Sequence, residues 1–208
     1  SSTSRGLGDV YKRQLYFCHW PDSETPYDET LGAYEKLLKA GKIRAIGASN
    51  LDAQQLAESL KVADEKGLPR YQVLQPEYNL YDRESFEGAL QDLTVRENIG
   101  VVTYYSLASG FLSGKYRSES DLNQSQRGQG IAKYLNPRGF AILDALDKVA
   151  ANHYVKPAEV ALAWLINQPG VTAPIASATK TAHVESFATA VALNLSTDEI
   201  AALNKAGA

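Results

Sequence analysis

Short apolar runs alternate with amphipathic segments along most of the chain, and this alternation restricts the possible folds more than any other feature. The apolar runs predict strands at residues 15–18, 43–48, 71–75, 100–105 and 171–176. The amphipathic segments predict helices at residues 30–39, 53–66, 86–98, 138–153, 157–167, 181–192 and 198–205. Alternating strands and helices imply parallel strands joined by right-handed crossovers. The predicted fold class is therefore α/β, either a doubly wound sheet or part of a (β/α)₈ barrel.

The stretch 41–50 shows how one strand unit is built. Gly41 ends the preceding helix, because glycine adopts a positive φ angle at little cost. The apolar, branched run at 43–48 is typical of a buried parallel strand. Ser49 and Asn50 follow at its carboxyl end, where α/β proteins bind ligands, so both are candidate site residues. The alternative is that this polar pair only turns the chain.

Other predicted strands also end in polar or aromatic groups. His19 follows the first strand, Gln75 ends the third, and Tyr105 ends the fourth, before a stretch at 106–116 that is rich in Gly and Ser. A barrel builds its binding site from such a ring of strand ends. No Gly-x-Gly-x-x-Gly motif follows any predicted strand, which argues against a doubly wound dinucleotide-binding sheet. The pattern therefore favours the barrel.

Composition limits the environment and the partners of the protein. The chain has 208 residues, 44% of them hydrophobic, a net charge of −3 and a single cysteine, Cys18. Its interspersed charges give no reason to expect nucleic acid or an anionic membrane surface as a partner. No apolar stretch approaches the roughly 18 residues of a membrane span, no secretory signal is visible, and a lone cysteine suits a reducing compartment. We expect a soluble, cytoplasmic, single-domain protein without a metal site.

Two segments depart from the alternating pattern. Residues 1–14 lack any period, and residues 7–14 resemble peptides that arise when sequencing-adaptor DNA is translated. We expect this segment to be non-native and the domain to occupy residues 15–208; the alternative is a natural, flexible N-terminus. Residues 118–130 are polar and without a period, which predicts a long loop.

Taken together, the strand ends resemble the C-terminal part of an aldo-keto reductase. The matching stretches are residues 15–22, 41–50, 75–79, 105–116 and 174–186. Five matches in the family's order, each at the corresponding strand end, make the resemblance specific, and it covers residue 15 to about residue 204. The resemblance implies that these are strands four to eight of a partial (β/α)₈ TIM barrel, with the first three βα units missing.

The same resemblance implies an activity, the NADPH-dependent reduction of an aldehyde or ketone to an alcohol by the full-length parent. The family's catalytic group is Asp, Tyr, Lys and His, and only the His has a counterpart here, His19. The Asp, Tyr and Lys would lie upstream of Leu15. Considered without its context, His19 fits a satisfied core histidine better, because that is the commoner fate of a single histidine. The Trp20-Pro21 that follows it, together with the other strand ends, matches the family pattern and reverses this preference.

The resemblance also implies a set of cofactor-binding residues. Ser49, Asn50 and Gln75 would bind the nicotinamide carboxamide, which needs both a donor and an acceptor. Tyr105 would stack on the nicotinamide ring, although a lone Tyr is otherwise a core residue. The remaining implied contacts are with the pyrophosphate, through Ser106, Leu107, Ser109, Gly110 and Leu112, and with the adenosine 2′-phosphate, through Ser177, Thr179, Lys180 and His183.

Two departures from the family pattern concern the choice of cofactor. His183 stands where the family often has Arg or Gln, and Phe187 stands where an Asn commonly contacts the adenine. Lys180 supplies a fixed positive charge for a phosphate, so we expect NADPH, with NADH as the alternative. As a single residue, Lys180 also fits a solvated surface lysine.

Two functional hypotheses follow, and the residues that precede Leu15 distinguish them. The first is a reductase acting on a small-molecule carbonyl, read from an incomplete gene. The second is a reductase-like module that binds a nucleotide or a protein partner without turnover. Five strands of an eight-stranded barrel leave two open edges, so we expect the 208-residue chain to be poorly soluble or molten, and inactive.

Overall fold

The structure, a computed structural model, describes residues 14–124 and 128–208. Of the segment 1–14 that we expect to be non-native, only Gln14 belongs to the described residues, so this expectation lies outside them. The chain forms two compact units. The first comprises Ser1–Pro76 and Glu87–Val101, and the second comprises Glu77–Phe86 and Val102–Ala208.

The first unit contains a parallel sheet. Its strands are β1 (Leu15–Cys18), β2 (Ala45–Ser49), β3 (Val73–Gln75) and the first half of β4 (Gly100–Thr103), in that order across the sheet. The register pairs Leu15 with Ala45, Gly47 with Val73, and Val73 with Gly100. The carboxyl ends of β1, β2 and β3 consequently lie at one edge of this sheet.

Three helices cross between these strands: α1 (Tyr27–Lys39), α2 (Ala53–Lys66) and α3 (Ala89–Arg96). Helix α2 begins at a capping box, in which the Asp52 carboxylate accepts the Gln55 N–H and the Gln55 side chain accepts the Asp52 N–H. It ends at Gly67, whose φ angle of 62° is left-handed. The apolar side chains of this unit form its core, including Leu31, Ile46, Ala48, Leu56, Leu60 and Leu74.

The second unit is mainly helical. It contains the rest of β4, the strand β5 (Val171–Pro174) beside it, and the helices α4 (Pro137–His153), α5 (Pro157–Ile166), α6 (Thr181–Ala192) and α7 (Thr197–Ala206). Helix α5 is buried almost all round, and its Trp164 packs on Tyr78 with ring centroids 5.4 Å apart. The Trp164 indole N–H donates to the Asn204 side chain at 2.7 Å, so α7 is fixed to the same core.

The α/β class with parallel strands and intervening helices is as predicted, and the differences lie at element ends. Strand β4 ends at Thr103 instead of residue 105, because Tyr105 has a φ angle of 51° and cannot continue a strand. Helix α3 begins at Ala89 instead of residue 86, since Gly88 takes a φ angle of 83°. Within the described part of the chain, no helix is long and apolar enough to span a bilayer.

The predicted long loop at 118–130 contains short 3₁₀ helices in the part of it that the structure describes. Two 3₁₀ helices occupy this region, Glu119–Gln124 and Gly128–Tyr134. The Asp121 carboxylate accepts the backbone N–H groups of Arg117 and Ser118, both at 2.9 Å. Such a local side-chain turn leaves no hydrophobic period, so periodicity could not reveal it.

The contact between β2 and its neighbours gives a stability test. A Cβ atom on Gly47 would lie 2.5 Å from the Phe17 ring and 2.9 Å from the carbonyl oxygen of Val73. We expect Gly47→Ala to lower the free energy of unfolding by about 1–3 kcal/mol, because the backbone of β3 would have to move. The measurement is urea denaturation followed by circular dichroism.

Gly32, inside α1, is the matched control. A Cβ atom there meets nothing within 4 Å, so Gly32→Ala should stabilise the helix by about 0.5–1 kcal/mol. Equal effects of the two substitutions would contradict the close packing of β2 on β3.

Candidate functional site

In the first unit, side chains at the carboxyl ends of β1, β2 and β3 are tied to one another. The Asn50 amide donates to the carbonyl oxygen of His19 at 2.8 Å, and the Ser49 hydroxyl donates to the carbonyl oxygen of Gln75 at 2.7 Å. Ser49 and Gln75 are also register partners. The structure therefore brings His19, Ser49, Asn50 and Gln75 together at one edge of the sheet.

The four side chains differ in what they can offer a ligand. Ser49 is only 2% exposed, and its hydroxyl links β2 to β3. Asn50 is half-buried with a φ angle of 60°, a conformation that Asn tolerates better than most residues. The Asn50 amide also fixes the backbone at His19, so this one side chain links the end of β2 to the end of β1.

His19 is an exposed side chain and therefore not a core histidine. Its ring lies 5.4 Å from the ring of Trp20, which is 64% exposed. The imidazole is thus accessible to a ligand, while its backbone carbonyl is held by Asn50. Both properties suit a residue that must meet a substrate in a defined position.

In the second unit, the chain turns sharply where β4 ends. Positive φ angles occur at Tyr105 (51°), Ala108 (48°), Ser109 (58°) and Gly110 (101°). Three of these residues are not glycine, and each costs about 1–3 kcal/mol in this conformation. Such strain persists only where the surrounding structure enforces it, and it is concentrated at ligand-binding sites.

The turn that follows β4, residues 105–114, combines side chains that are buried with others that are accessible to solvent. Ala108, Phe111 and Leu112 are fully buried, and the Ser106 hydroxyl is 2.9 Å from the carbonyl oxygens of Thr103 and Ile175. By contrast, the Tyr105 side chain is 53% exposed. Leu107, Ser109 and Gly110 are half-buried. The predicted contacts of Ser106 and Leu112 with a ligand cannot come from their buried side chains, and the Leu112 N–H already donates to the carbonyl oxygen of Leu107 at 3.2 Å.

The end of β5 leads into the N-terminus of α6. Ser177, Thr179 and Lys180 are exposed here, and Lys180 is the N-cap residue without a capping bond from its side chain. His183 Nδ1 accepts the backbone N–H of Thr179 at 3.2 Å. Through this bond His183 holds the loop that precedes the helix.

A polar network beside Tyr105 was missed by sequence reasoning. Asn79 is fully buried; its side-chain oxygen accepts the N–H groups of Tyr81 and Asp82, and its amide nitrogen donates to the carbonyl oxygen of Tyr105 at 3.1 Å. The Tyr134 hydroxyl donates to the Asp82 carboxylate at 2.7 Å. The available signal was the Asn-x-x-Asp spacing, which favours a turn closed by the Asn side chain.

Glu77 is a titratable group beside this network, in contact with Asp82. Burial raises the pKa of the Glu77 carboxyl, and the negative charge of Asp82 raises it further, while Lys133 opposes the shift. The Glu77 carboxyl is also hydrogen-bonded to that of Asp82. Two carboxyl groups in contact favour the sharing of one proton.

Among the described residues, no group of three or more His, Cys, Asp or Glu side chains is placed to bind a metal ion. The strand ends of the first unit carry an imidazole, amides and a hydroxyl, and those of the second unit carry an exposed phenol and hydroxyls. These suit the recognition of a polar organic ligand with aromatic and anionic parts.

The comparisons with known proteins agree with this architecture. The sequence profile of the Aldo/keto reductase family matches residues 5–208, and the chain belongs to this family. A thermostable aldo-keto reductase, Tm1743, solved in complex with the inhibitor epalrestat, superposes with a TM-score of 0.72 and 27% identity, over 93% of this chain and 60% of that one. The family match begins inside segment 1–14, and the domain boundary at residue 15 stays a prediction.

Curated relatives fall into two groups by name. Aldo-keto reductase YhdN of Bacillus subtilis is 33% identical over 190 residues, covering 89% of this chain and 55% of that protein. A probable voltage-gated potassium channel subunit beta of Arabidopsis thaliana is 31% identical over 178 residues, covering 82% and 54%. Aldo-keto reductase yakc [NADP(+)] of Schizosaccharomyces pombe is 27% identical over 187 residues, covering 88% and 53%. The chain thus spans about half the length of these relatives.

The raised pKa of Glu77 predicts a pH-dependent effect of Glu77→Gln. Below about pH 4 the carboxyl is protonated in both the folded and the unfolded chain, so the substitution should change stability little. Above the unfolded pKa the wild type loses stability as Glu77 ionises in the fold, because the folded state binds its proton more tightly. Glutamine cannot ionise, so the variant should gain stability relative to the wild type between pH 4 and 7.

Urea denaturation at pH 4, 5.5 and 7 measures this difference. Glu84→Gln, which replaces an exposed carboxyl of the same unit, is the control. A Glu77→Gln effect that is the same at all three pH values would contradict the shared-proton interpretation.

Proposed function

We propose that the protein is a reductase that uses NADPH to convert an aldehyde or ketone to an alcohol. The single observation that carries this proposal is the strained turn after β4, which exposes the Tyr105 ring in a chain of the aldo/keto reductase family. A strained turn with an exposed aromatic ring is expected at a ligand site, not in a structural linker.

The residues of the second unit fit a dinucleotide phosphate. Leu107 has φ and ψ angles of −109° and 20° and is followed by the left-handed Ala108, a pair of conformations that is common in backbone anion sites, although the Ala108 N–H itself donates to the carbonyl oxygen of Tyr105 at 2.6 Å. Such an arrangement binds anions. We assign the pyrophosphate to the backbone of residues 106–112 and to the Ser109 side chain, with Tyr105 stacked on the nicotinamide ring.

The loop between β5 and α6 fits the adenosine 2′-phosphate. Ser177 and Thr179 supply hydroxyls, Lys180 supplies a positive charge, and the first N–H groups of α6 point toward the same region. Because Lys180 carries the only full charge among these groups, we propose NADPH as the preferred cofactor and NADH as the weaker one. His183 contributes by holding the loop through Thr179.

For the first unit we propose separate roles. Asn50 and Gln75 bind the carboxamide of the nicotinamide, and Ser49 supports them through its bond to the Gln75 backbone. His19, exposed and anchored through its carbonyl group by Asn50, orients and polarises the substrate carbonyl. A bound NADPH would supply the hydride for the reduction.

The proton for the new alkoxide must come from an acid, which in this family is a Tyr activated by Lys and Asp. Within these 208 residues only His19 corresponds to a member of that group. We therefore assign reduction to a polypeptide that also carries the Asp, Tyr and Lys, and we propose that this chain alone binds the cofactor without turnover.

A second candidate function is nucleotide binding without catalysis. The wider alternative is a reductase-like module that binds a nucleotide or a protein partner, and the similarity to a probable voltage-gated potassium channel subunit beta, which covers 82% of this chain, favours it because that relative is named as a subunit and not as a reductase. In that case the nucleotide would stabilise or signal through the protein, and His19 would have no substrate. Cofactor binding is common to both candidates, and only turnover separates them.

The cofactor assignment is tested by titrating the chain with NADPH and with NADH, following the quenching of its intrinsic fluorescence. We expect Lys180→Met to weaken NADPH about tenfold, because a charged hydrogen bond contributes about 1.5–3 kcal/mol, and to leave NADH unchanged. Lys148→Met, at an exposed site on α4, is the control and should bind as the wild type does. Equal losses for NADPH and NADH would contradict the assignment of Lys180 to the 2′-phosphate.

NADPH should also stabilise the chain, because a ligand that binds only the folded state shifts the unfolding equilibrium. This effect is a second readout if the free chain is poorly soluble.

Turnover is tested by following NADPH oxidation at 340 nm with aliphatic and aromatic aldehydes. For this chain we expect none above background, because a positioned acid typically contributes about 10²–10⁴-fold and its family residues have no counterpart here. A polypeptide that combines this chain with the Asp, Tyr and Lys should oxidise NADPH, and His19→Ala should lower its kcat. Steady turnover by this chain would overturn the assignment of the proton donor.

A further inference from the structure

We propose that Asn79 is the positioning residue that holds Tyr105 in its strained, exposed conformation. The inference rests on the proposed function in one respect, the assignment of Tyr105 to the nicotinamide ring. It concerns a residue that contacts neither substrate nor cofactor, since Asn79 is fully buried.

Asn79 uses the full hydrogen-bonding capacity of its side chain. The oxygen accepts the N–H groups of Tyr81 at 2.8 Å and Asp82 at 2.9 Å. The nitrogen donates to Asp82 Oδ2 at 3.0 Å and to the carbonyl oxygen of Tyr105 at 3.1 Å. A primary amide has two donors and two acceptor positions, so all four are occupied.

The surroundings determine the orientation of this amide. Rotating the amide by 180° would place its oxygen against the Asp82 carboxylate and the Tyr105 carbonyl, and its nitrogen against two N–H groups. All four contacts would then be repulsive, and the site is closed to solvent. Asp82 is in turn fixed by the Tyr134 hydroxyl at 2.7 Å, and Lys133 lies 3.6 Å from its other oxygen.

Tyr105 needs such support because its backbone conformation is unfavourable. Its φ angle is 51°, and a bulky residue prefers to relax from the left-handed region. Its carbonyl oxygen accepts the Ala108 N–H at 2.6 Å and the Asn79 amide, and the next residue, Ser106, is tied to the ends of β4 and β5. Of these contacts, only the bond from Asn79 reaches Tyr105 from outside the turn.

The substitution Asn79→Asp separates the two halves of this network. It keeps an oxygen for the N–H groups of Tyr81 and Asp82 but replaces the donor by a second oxygen that faces two acceptors. Tyr105 should then lose its anchor while the local turn is retained. Asn167→Asp is the control for the loss of an amide–carbonyl bond alone, because it also removes an amide that donates to a backbone carbonyl, that of Ala163 at 2.8 Å, but at an exposed site at the end of α5.

The first readout is independent of any ligand. The chain is labelled with 3-fluorotyrosine, and the Tyr105 resonance is identified by its loss in Tyr105→Phe. We expect the fluorine resonance of Tyr105 to shift and broaden in Asn79→Asp and to stay unchanged in Asn167→Asp. An unchanged Tyr105 resonance in Asn79→Asp would overturn the inference.

The second readout separates positioning from general damage to the fold. Asn79→Asp should weaken NADPH about tenfold or more but leave the affinity for adenosine 2′,5′-bisphosphate, which lacks the nicotinamide, within about twofold. Equal losses for both ligands would show general damage and overturn the positioning role. If the wild type binds neither ligand, the proposed function fails, and the fluorine resonance alone decides the inference.

A second substitution, Asn79→Ser, keeps the inference testable if Asn79→Asp fails to fold. Asn79→Ser retains a short acceptor for the turn and cannot reach Tyr105, so it should reproduce both changes. In the wild type, the Asn79 side-chain amide protons should exchange slowly with solvent, because both are donated in a buried site. Rapid exchange of these protons would overturn the inference without any variant.

Discussion

Backbone carbonyl groups at the ends of parallel strands are the groups on which the candidate site residues of each unit depend. Beyond the last ladder bond such a carbonyl loses its partner, and leaving it unpaired in a buried place is costly. Here short polar side chains meet this need: Asn50 for His19, Ser49 for Gln75, Asn79 for Tyr105 and Ser106 for Ile175. Without these bonds the strand ends would have no fixed geometry.

The same interactions explain which features of the site could be predicted from the sequence and which could not. It placed Ser49, Asn50 and Ser106 at strand ends, because an apolar run followed by small polar residues indicates where a buried strand stops. It could not predict that the hydroxyls of Ser49 and Ser106 point to neighbouring backbone, since the direction of a side chain depends on contacts distant in sequence. Asn79 escaped notice for the same reason, as its partner Tyr105 lies on another segment.

The fold was predictable where local and global preferences agree. Helix α2 illustrates this, because Asp52 and Gln55 cap it, its apolar face repeats at helical spacing, and Gly67 ends it. The early end of β4 was not predictable, since Val101 to Tyr105 reads as one continuous strand and only the tertiary network makes Tyr105 left-handed. The wrongly predicted end of β4 marks a place where the structure imposes an unfavourable backbone conformation, and Tyr105 at this place is also a candidate site residue.

Tyr134 has a consequence for how loops of this protein can be exchanged. Its ring is buried against Phe111 and Tyr81, with centroids 5.2 Å and 4.8 Å away, and its hydroxyl is bonded to Asp82. The 3₁₀ helix Gly128–Tyr134 therefore ends at a fixed anchor. A loop grafted into this region should end before Gly128. Insertions before Gly128 then change the length of the loop without displacing the Tyr134 side chain. Swaps that include Tyr134 would remove the partner of Asp82 and, through Asn79, loosen the turn that carries Tyr105.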